Sequence, residues 1–214
     1  MLPRRIFNLA NVLTLSRFAA APVLLWLILR LAPPATPAFC VWVSTAALAL
    51  LGVTLLTDLL DGWVARAYGI VTDFGKIMDP VADSTFFMTL LFALSVSPRF
   101  RDDFPVWIPI LVLYREVGMQ VLRRYGALRG RVLPAKFSGK AKMVVQSVAA
   151  CAAMALIALS DLGLWRQSEP RLARLLLAAG IIIVAANLLS LLEYLREVPV
   201  LVREWRGEAD LEEN

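Results

Sequence analysis

The 214-residue chain is 59% hydrophobic and only 18% charged, with a net charge of +5 and a mean hydropathy of +0.70. Soluble domains carry nearer a quarter charged residues, so this balance excludes an ordinary water-soluble globule and points to the bilayer. There is no histidine, which excludes His-ligated zinc and removes the commonest general base.

Six apolar runs, each near the roughly 20 residues that a spanning helix needs, predict an all-α, polytopic fold with six transmembrane helices. The first covers 9–31 and follows a short segment, 1–8, expected to lie at the interface through Ile6 and Phe7. It is too long for a signal-peptide core and Arg17 interrupts it, so it reads as a retained membrane helix. Its polar residues Asn11, Thr14 and Arg17 are read either as bundle contacts or as ligand contacts. Pro33, Pro34 and Pro37 break the chain before the second run, 38–60. The third covers 77–97, and Pro98 and Pro105 bracket the gap before the fourth, 104–124. In the fifth, 141–161, Ala149, Ala150, Ala152, Ala153 and Ala155 predict close helix packing. The sixth, 172–194, precedes a mixed basic and apolar tail, 196–214. Cys40 and Cys151 lie in separate runs without CxxC spacing and read as small apolar filler. The whole chain, 1–214, reads as one membrane-embedded domain.

Charge asymmetry predicts orientation. Arg4, Arg5, Arg66, Lys76, Arg123, Arg124, Arg129, Arg131, Lys136, Lys140, Lys142, Arg196, Arg203 and Arg206 fall on one side, against Arg30, Arg99, Arg101, Arg166, Arg171 and Arg174 opposite. The positive-inside rule places that side, and both termini, in the cytoplasm. It also accounts for the net positive charge without nucleic acid, for which the chain has no motif.

The informative stretch joins the second and third runs. Asp58 and Asp61 are three apart, and Asp79 and Asp83 are four apart, so each pair shares one helix face. Four carboxylates at one membrane surface repel one another, and a divalent cation resolves the conflict. Oxygen-only donors favour Mg²⁺ or Mn²⁺ over zinc. Gly62, Ala65 and Gly75 clear space for a ligand to approach the backbone, and Arg66 adds a bidentate phosphate donor. A divalent-cation transporter would also place carboxylates in a bundle. It would not need Gly62, Ala65, Arg66 and Gly75 at fixed offsets.

The pattern D-x2-D-G-x2-A-R-x8-G-x3-D-x3-D, met here by Asp58, Asp61, Gly62, Ala65, Arg66, Gly75, Asp79 and Asp83, resembles the signature of the CDP-alcohol phosphatidyltransferase family. The resemblance covers nearly the whole chain, because the apolar profile is similar to that family's six-helix architecture. It implies Asp58, Asp61 and Asp79 as metal ligands and Asp83 as general base that also touches the metal, with two ions expected. It implies Gly62, Ala65, Arg66 and Gly75 at a CDP site, with Asn11 and Thr14 as further contacts. It further implies a homodimer in a bacterial cytoplasmic membrane.

Two other segments bear on the acceptor alcohol. Asn8-Leu-Ala-Asn11-Val-Leu-Thr14-Leu-Ser-Arg17 is similar to the opening of the family's bacterial phosphatidylglycerophosphate synthases, with Ala10 in place of proline. Arg115-Glu116, Arg123, and Ala135 through Gln146 resemble a second stretch of that group, with Met143 and Ser84 as departures. The implied substrates are CDP-diacylglycerol and glycerol 3-phosphate. The acceptor's phosphate would meet Arg115, Arg123, Lys140 and Lys142. Inositol phosphate, or phosphatidylglycerol as in a cardiolipin synthase, stays open as the acceptor.

Overall fold

The computed structural model describes residues 9–32, 34–67, 73–128, 137–164 and 169–195. Among the described residues the chain is all-helical: α1 Leu9–Arg30, α2 Pro37–Ala67, α3 Asp73–Val96, α4 Trp107–Leu128, α5 Phe137–Asp161 and α6 Glu169–Leu195. The expected segments 1–8 and 196–214 lie outside the described residues.

Local chemistry sets several of the ends. Pro37 opens α2, where its missing N–H removes nothing, and the Phe39 N–H donates to Thr36 Oγ1 at 3.4 Å, a weak N-cap. At the end of α5 the Leu162 N–H donates to the Ala158 carbonyl, and Gly163 takes φ +67° to turn the chain away. Hydroxyls within the helices satisfy themselves on the preceding turn, as Ser44 does on the Cys40 carbonyl and Thr54 on the Leu50 carbonyl.

Among the described residues, four helices are long and apolar enough to cross a membrane: Pro37–Asp58, Met78–Val96, Ala141–Asp161 and Pro170–Leu192. Large apolar side chains point outward along them, including Trp42 at 78% exposure, Leu56, Val148 and Leu189. Such a surface is a liability in water and matches hydrocarbon. Helix α4 carries Arg115, Glu116, Arg123 and Arg124 along its length, which sets it apart from the four.

The helices pack as a closed ring in the order α1, α2, α5, α6, α4, α3 and back to α1. Leu24 and Ile28 of α1, Leu51 of α2, Leu90 and Leu91 of α3, Ile108 of α4, Ile157 of α5 and Ile183 of α6 are buried in one continuous apolar core. Of the five alanines expected to pack closely, Ala149, Ala150 and Ala153 are buried and Ala155 is half-buried, whereas Ala152 is exposed on the outer face of α5. Helix α6 approaches α4 so closely that a Cβ on Gly180 would run into the Ile108 side chain. The Ser97 hydroxyl, at the end of α3, donates to the Ile28 carbonyl of α1 at 3.4 Å. In α1, α4, α5 and α6 the helix bounds follow the apolar runs to within a few residues. Helix α2 continues to Ala67 and α3 begins at Asp73, so the polar signature lies on helical backbone.

Candidate active site

Carboxylates reach the interior from two helices. Asp58 closes the apolar stretch of α2, and Asp79 and Asp83 lie one turn apart near the start of α3. Helix α1, which lies between α2 and α3 in the ring, answers them. Arg17, only 1% exposed, places Nη2 at 2.9 Å from Asp58 Oδ1 and Nη1 at 2.6 Å from Asp83 Oδ1. Thr14, three residues earlier on the same face, donates from its hydroxyl to Asp79 Oδ1. Of the two readings of Arg17, the bundle contact is met here by two ion pairs. The Thr14 hydroxyl, expected at the CDP site, is committed to Asp79.

Arg17, Asp58, Asp79 and Asp83 form one end of a cavity of about 300 Å³. Its other end is cationic, lined by Arg115, Glu116, Arg123, Lys142 and Gln146, so Asp58, Asp79 and Asp83 of the residues expected to hold a metal face one chamber with Arg115, Arg123 and Lys142 of those expected to hold the acceptor. Arg115 and Lys142 are buried, at 5% and 6% exposure, whereas Arg123 is exposed. Arg115 Nη1 donates to Glu116 Oε1 at 3.1 Å and Nη2 to Ser190 Oγ at 2.7 Å. Lys142 Nζ donates to the same Glu116 oxygen. The Asn187 side-chain amide bonds Gln146 Oε1 at 3.1 Å and the Ile183 carbonyl at 2.8 Å.

For Asn11, Asp61, Gly62, Ala65, Arg66, Gly75 and Lys140 only the helical backbone belongs to the described residues; their side chains lie outside them. Among the described residues no group of three or more His, Cys, Asp or Glu side chains is arranged to hold a metal ion. The chemistry of the donors nonetheless fits a hard divalent cation. Three carboxylates against one guanidinium leave excess negative charge facing the cavity, with no sulfur or nitrogen donor among them.

Sequence reasoning gave Glu116 no role and missed Asn187 and Ser190. A signal existed for the last two. They are polar residues three apart in an otherwise apolar stretch, the pattern of groups facing a bundle interior.

An all-helical bundle with four span-length apolar helices and a charged internal chamber defines a membrane-embedded helical protein. The model of the CDP-alcohol phosphatidyltransferase family matches residues 7–192, and the chain belongs to that family. A Mycobacterium tuberculosis protein named "Probable phosphatidylglycerophosphate synthase" is 39% identical over 145 residues, covering 68% of this chain and 65% of the relative. The match thus spans just under two thirds of that relative's length. A Bacillus subtilis protein named CDP-diacylglycerol–glycerol-3-phosphate 3-phosphatidyltransferase is 35% identical over 152 residues, 68% of this chain and 76% of the relative. A Streptomyces coelicolor protein named cardiolipin synthase (CMP-forming) is 33% identical over 127 residues, 57% of this chain and 54% of the relative.

Proposed function

We propose that the protein makes phospholipid by transferring the phosphatidyl group of CDP-diacylglycerol to glycerol 3-phosphate, giving phosphatidylglycerophosphate and CMP. The observation that carries this reading is the two-ended chamber: signature aspartates at one end, Arg115, Arg123 and Lys142 at the other. The names of the relatives from M. tuberculosis and B. subtilis support it.

The aspartate end takes the pyrophosphate. Asp58, Asp61, Asp79 and Asp83 would hold Mg²⁺ or Mn²⁺, as two ions, which when bound neutralise the pyrophosphate and the departing phosphate. Arg66, with the small residues Gly62, Ala65 and Gly75, shapes the CDP end, with Asn11 and Thr14 beside it. Asp83 takes the proton from the acceptor hydroxyl. The hydroxyl oxygen forms a bond to the lipid-side phosphorus, the pyrophosphate P–O bond breaks, and CMP leaves with that electron pair. Arg17 fixes the orientation of Asp83 through Oδ1. The cationic end, Arg115, Arg123, Lys140 and Lys142, receives the acceptor's phosphate, a dianion that suits clustered donors.

In this reading α1 and α4 cross the membrane with the four apolar helices. Six spans then put both termini in the cytoplasm, the chamber opens to the cytoplasmic face of the bacterial inner membrane, and the enzyme is a homodimer.

One second reading has support. The S. coelicolor relative named cardiolipin synthase keeps phosphatidylglycerol open as acceptor. The buried cations favour the smaller phosphate monoester. Purified protein in detergent micelles, given CDP-diacylglycerol and each acceptor in turn, decides by CMP release. Glycerol 3-phosphate is expected to drive it; release only with phosphatidylglycerol or inositol phosphate would overturn the assignment.

A further inference from the structure

The acceptor end contains a tie that neither the signature nor the metal site requires. Helices α4 and α5 are not neighbours in the ring, because α6 lies between them. Yet Glu116 on α4 and Lys142 on α5 are joined directly, facing the chamber. The same carboxylate oxygen also accepts from Arg115 Nη1 at 3.1 Å. Helix α6 adds the other anchor, because Ser190 Oγ accepts from Arg115 Nη2 at 2.7 Å.

Two buried cations drawn toward one point repel strongly, since little water screens them. A carboxylate between them removes that repulsion and fixes both directions at once. It also leaves the end cationic, since Arg115 and Lys142 outnumber it and Arg123 lines the same chamber. A lysine ammonium has three donors, and Glu116 uses only one of them, so Lys142 can serve the carboxylate and a phosphate oxygen together. The arrangement is a preformed anion clamp whose geometry comes from an anion built into the protein.

We propose that Glu116 is a positioning residue for the acceptor, holding Arg115 and Lys142 so that they receive a phosphate monoester in the chamber. This rests on the function proposed above and deepens it. Glu116 itself does not touch the reacting atoms.

The test uses the full chain in micelles, with Glu116→Gln, Glu116→Asp, Lys142→Met and the double variant Glu116→Gln/Lys142→Met. CMP release is followed against each substrate separately. Glu116→Gln is expected to raise KM for glycerol 3-phosphate by about tenfold, the effect of one charge-assisted contact. KM for CDP-diacylglycerol should stay within about twofold of wild type. Glu116→Asp should recover part of the loss. The double variant should be no worse than Lys142→Met, because both act through one ammonium. An unchanged acceptor KM, an equal rise in both KM values, or additive effects would overturn the proposal.

A second readout does not need turnover. Glycerol 3-phosphate or inorganic phosphate should raise the unfolding temperature of wild type and of Glu116→Asp, and not of Glu116→Gln. A wild type that is stabilised by phosphate but releases no CMP with glycerol 3-phosphate would sink the proposed function, and the unfolding shifts would still judge Glu116. Wild-type turnover with an unaltered Glu116→Gln would sink the Glu116 role alone.

Discussion

Arg17 Nη1 donates to Asp83 Oδ1 at 2.6 Å across 66 residues of sequence, and this pair sets where helix α1 meets the signature on α3. The other terminal nitrogen of the same guanidinium holds Asp58 on α2. One planar side chain thus pins two signature carboxylates from different helices. A lysine is a point charge on a flexible stem and cannot hold both with that fork. Arg17→Gln and Arg17→Lys are therefore expected to lose most activity. Removing one partner of a buried pair costs about 3–5 kcal/mol, and the partial exposure of Asp58 and Asp83 brings Arg17→Gln to the low end, about 3 kcal/mol. Thermal unfolding in micelles, measured beside CMP release, checks both effects. A stable and fully active Arg17→Lys would refute the fork.

Asp83 is assigned the proton of the acceptor hydroxyl. Asp83→Asn keeps the size of the side chain and its bond to Arg17 while losing the basic oxygen. Turnover should fall by about a hundredfold to ten-thousandfold, the usual range for a positioned base. Binding of CDP-diacylglycerol should persist, because Asp58, Asp61 and Asp79 remain. Asp61→Asn should instead weaken binding and raise the metal concentration needed for activity. Equilibrium binding of labelled CDP-diacylglycerol beside CMP release separates the two; near-normal turnover in Asp83→Asn would remove the base assignment.

A metal prediction follows from the charge at the aspartate end. Among the described residues, Arg17 is the cation that answers Asp58 and Asp83. Chelation with EDTA should abolish CMP release, and Mg²⁺ or Mn²⁺ should restore it. The same ions should raise the unfolding temperature of the substrate-free protein, because they bind the folded state only. The Asp58→Asn variant should lose that rise. Full activity in EDTA would contradict the metal assignment.

Much of this was legible in the sequence, and the failures have physical causes. Hydropathy located the six helices among the described residues, and four of them meet the roughly 20 apolar residues and full backbone pairing that hydrocarbon demands. The same measure ended the second run at 60 and began the third at 77, because it reads the membrane and not the helix. Polar residues such as Asp61 and Lys76 continue α2 and α3 beyond the apolar stretches. That Arg17 needed an ionic partner could be anticipated, since a lone charge in an apolar run is costly. Which carboxylates it meets depends on the ring order, which no local pattern encodes. The Glu116–Lys142 tie was hidden for the same reason, as it joins helices that are not neighbours in the ring.

Far from the chamber, Arg99 holds Asp161 through two bonds, Nη2 to Oδ1 at 2.5 Å and Nη1 to Oδ2 at 3.2 Å. Asp161 is buried at the end of α5, and Arg99 follows the end of α3. The helical rise puts Val96 about 20 Å along α3 from Asp83, so this pair cannot touch the reacting groups. Arg99→Met strands a buried carboxylate and should lower stability by about 2 kcal/mol, a figure reduced because Arg99 is partly exposed. Adding Asp161→Leu should recover much of that loss, since an apolar pair in place of a buried ion pair is often neutral. CMP release per folded molecule should match wild type in both variants. If turnover fell in molecules that remained folded, the two ends of the bundle would be coupled through its core, and the chamber could no longer be treated as a self-contained site.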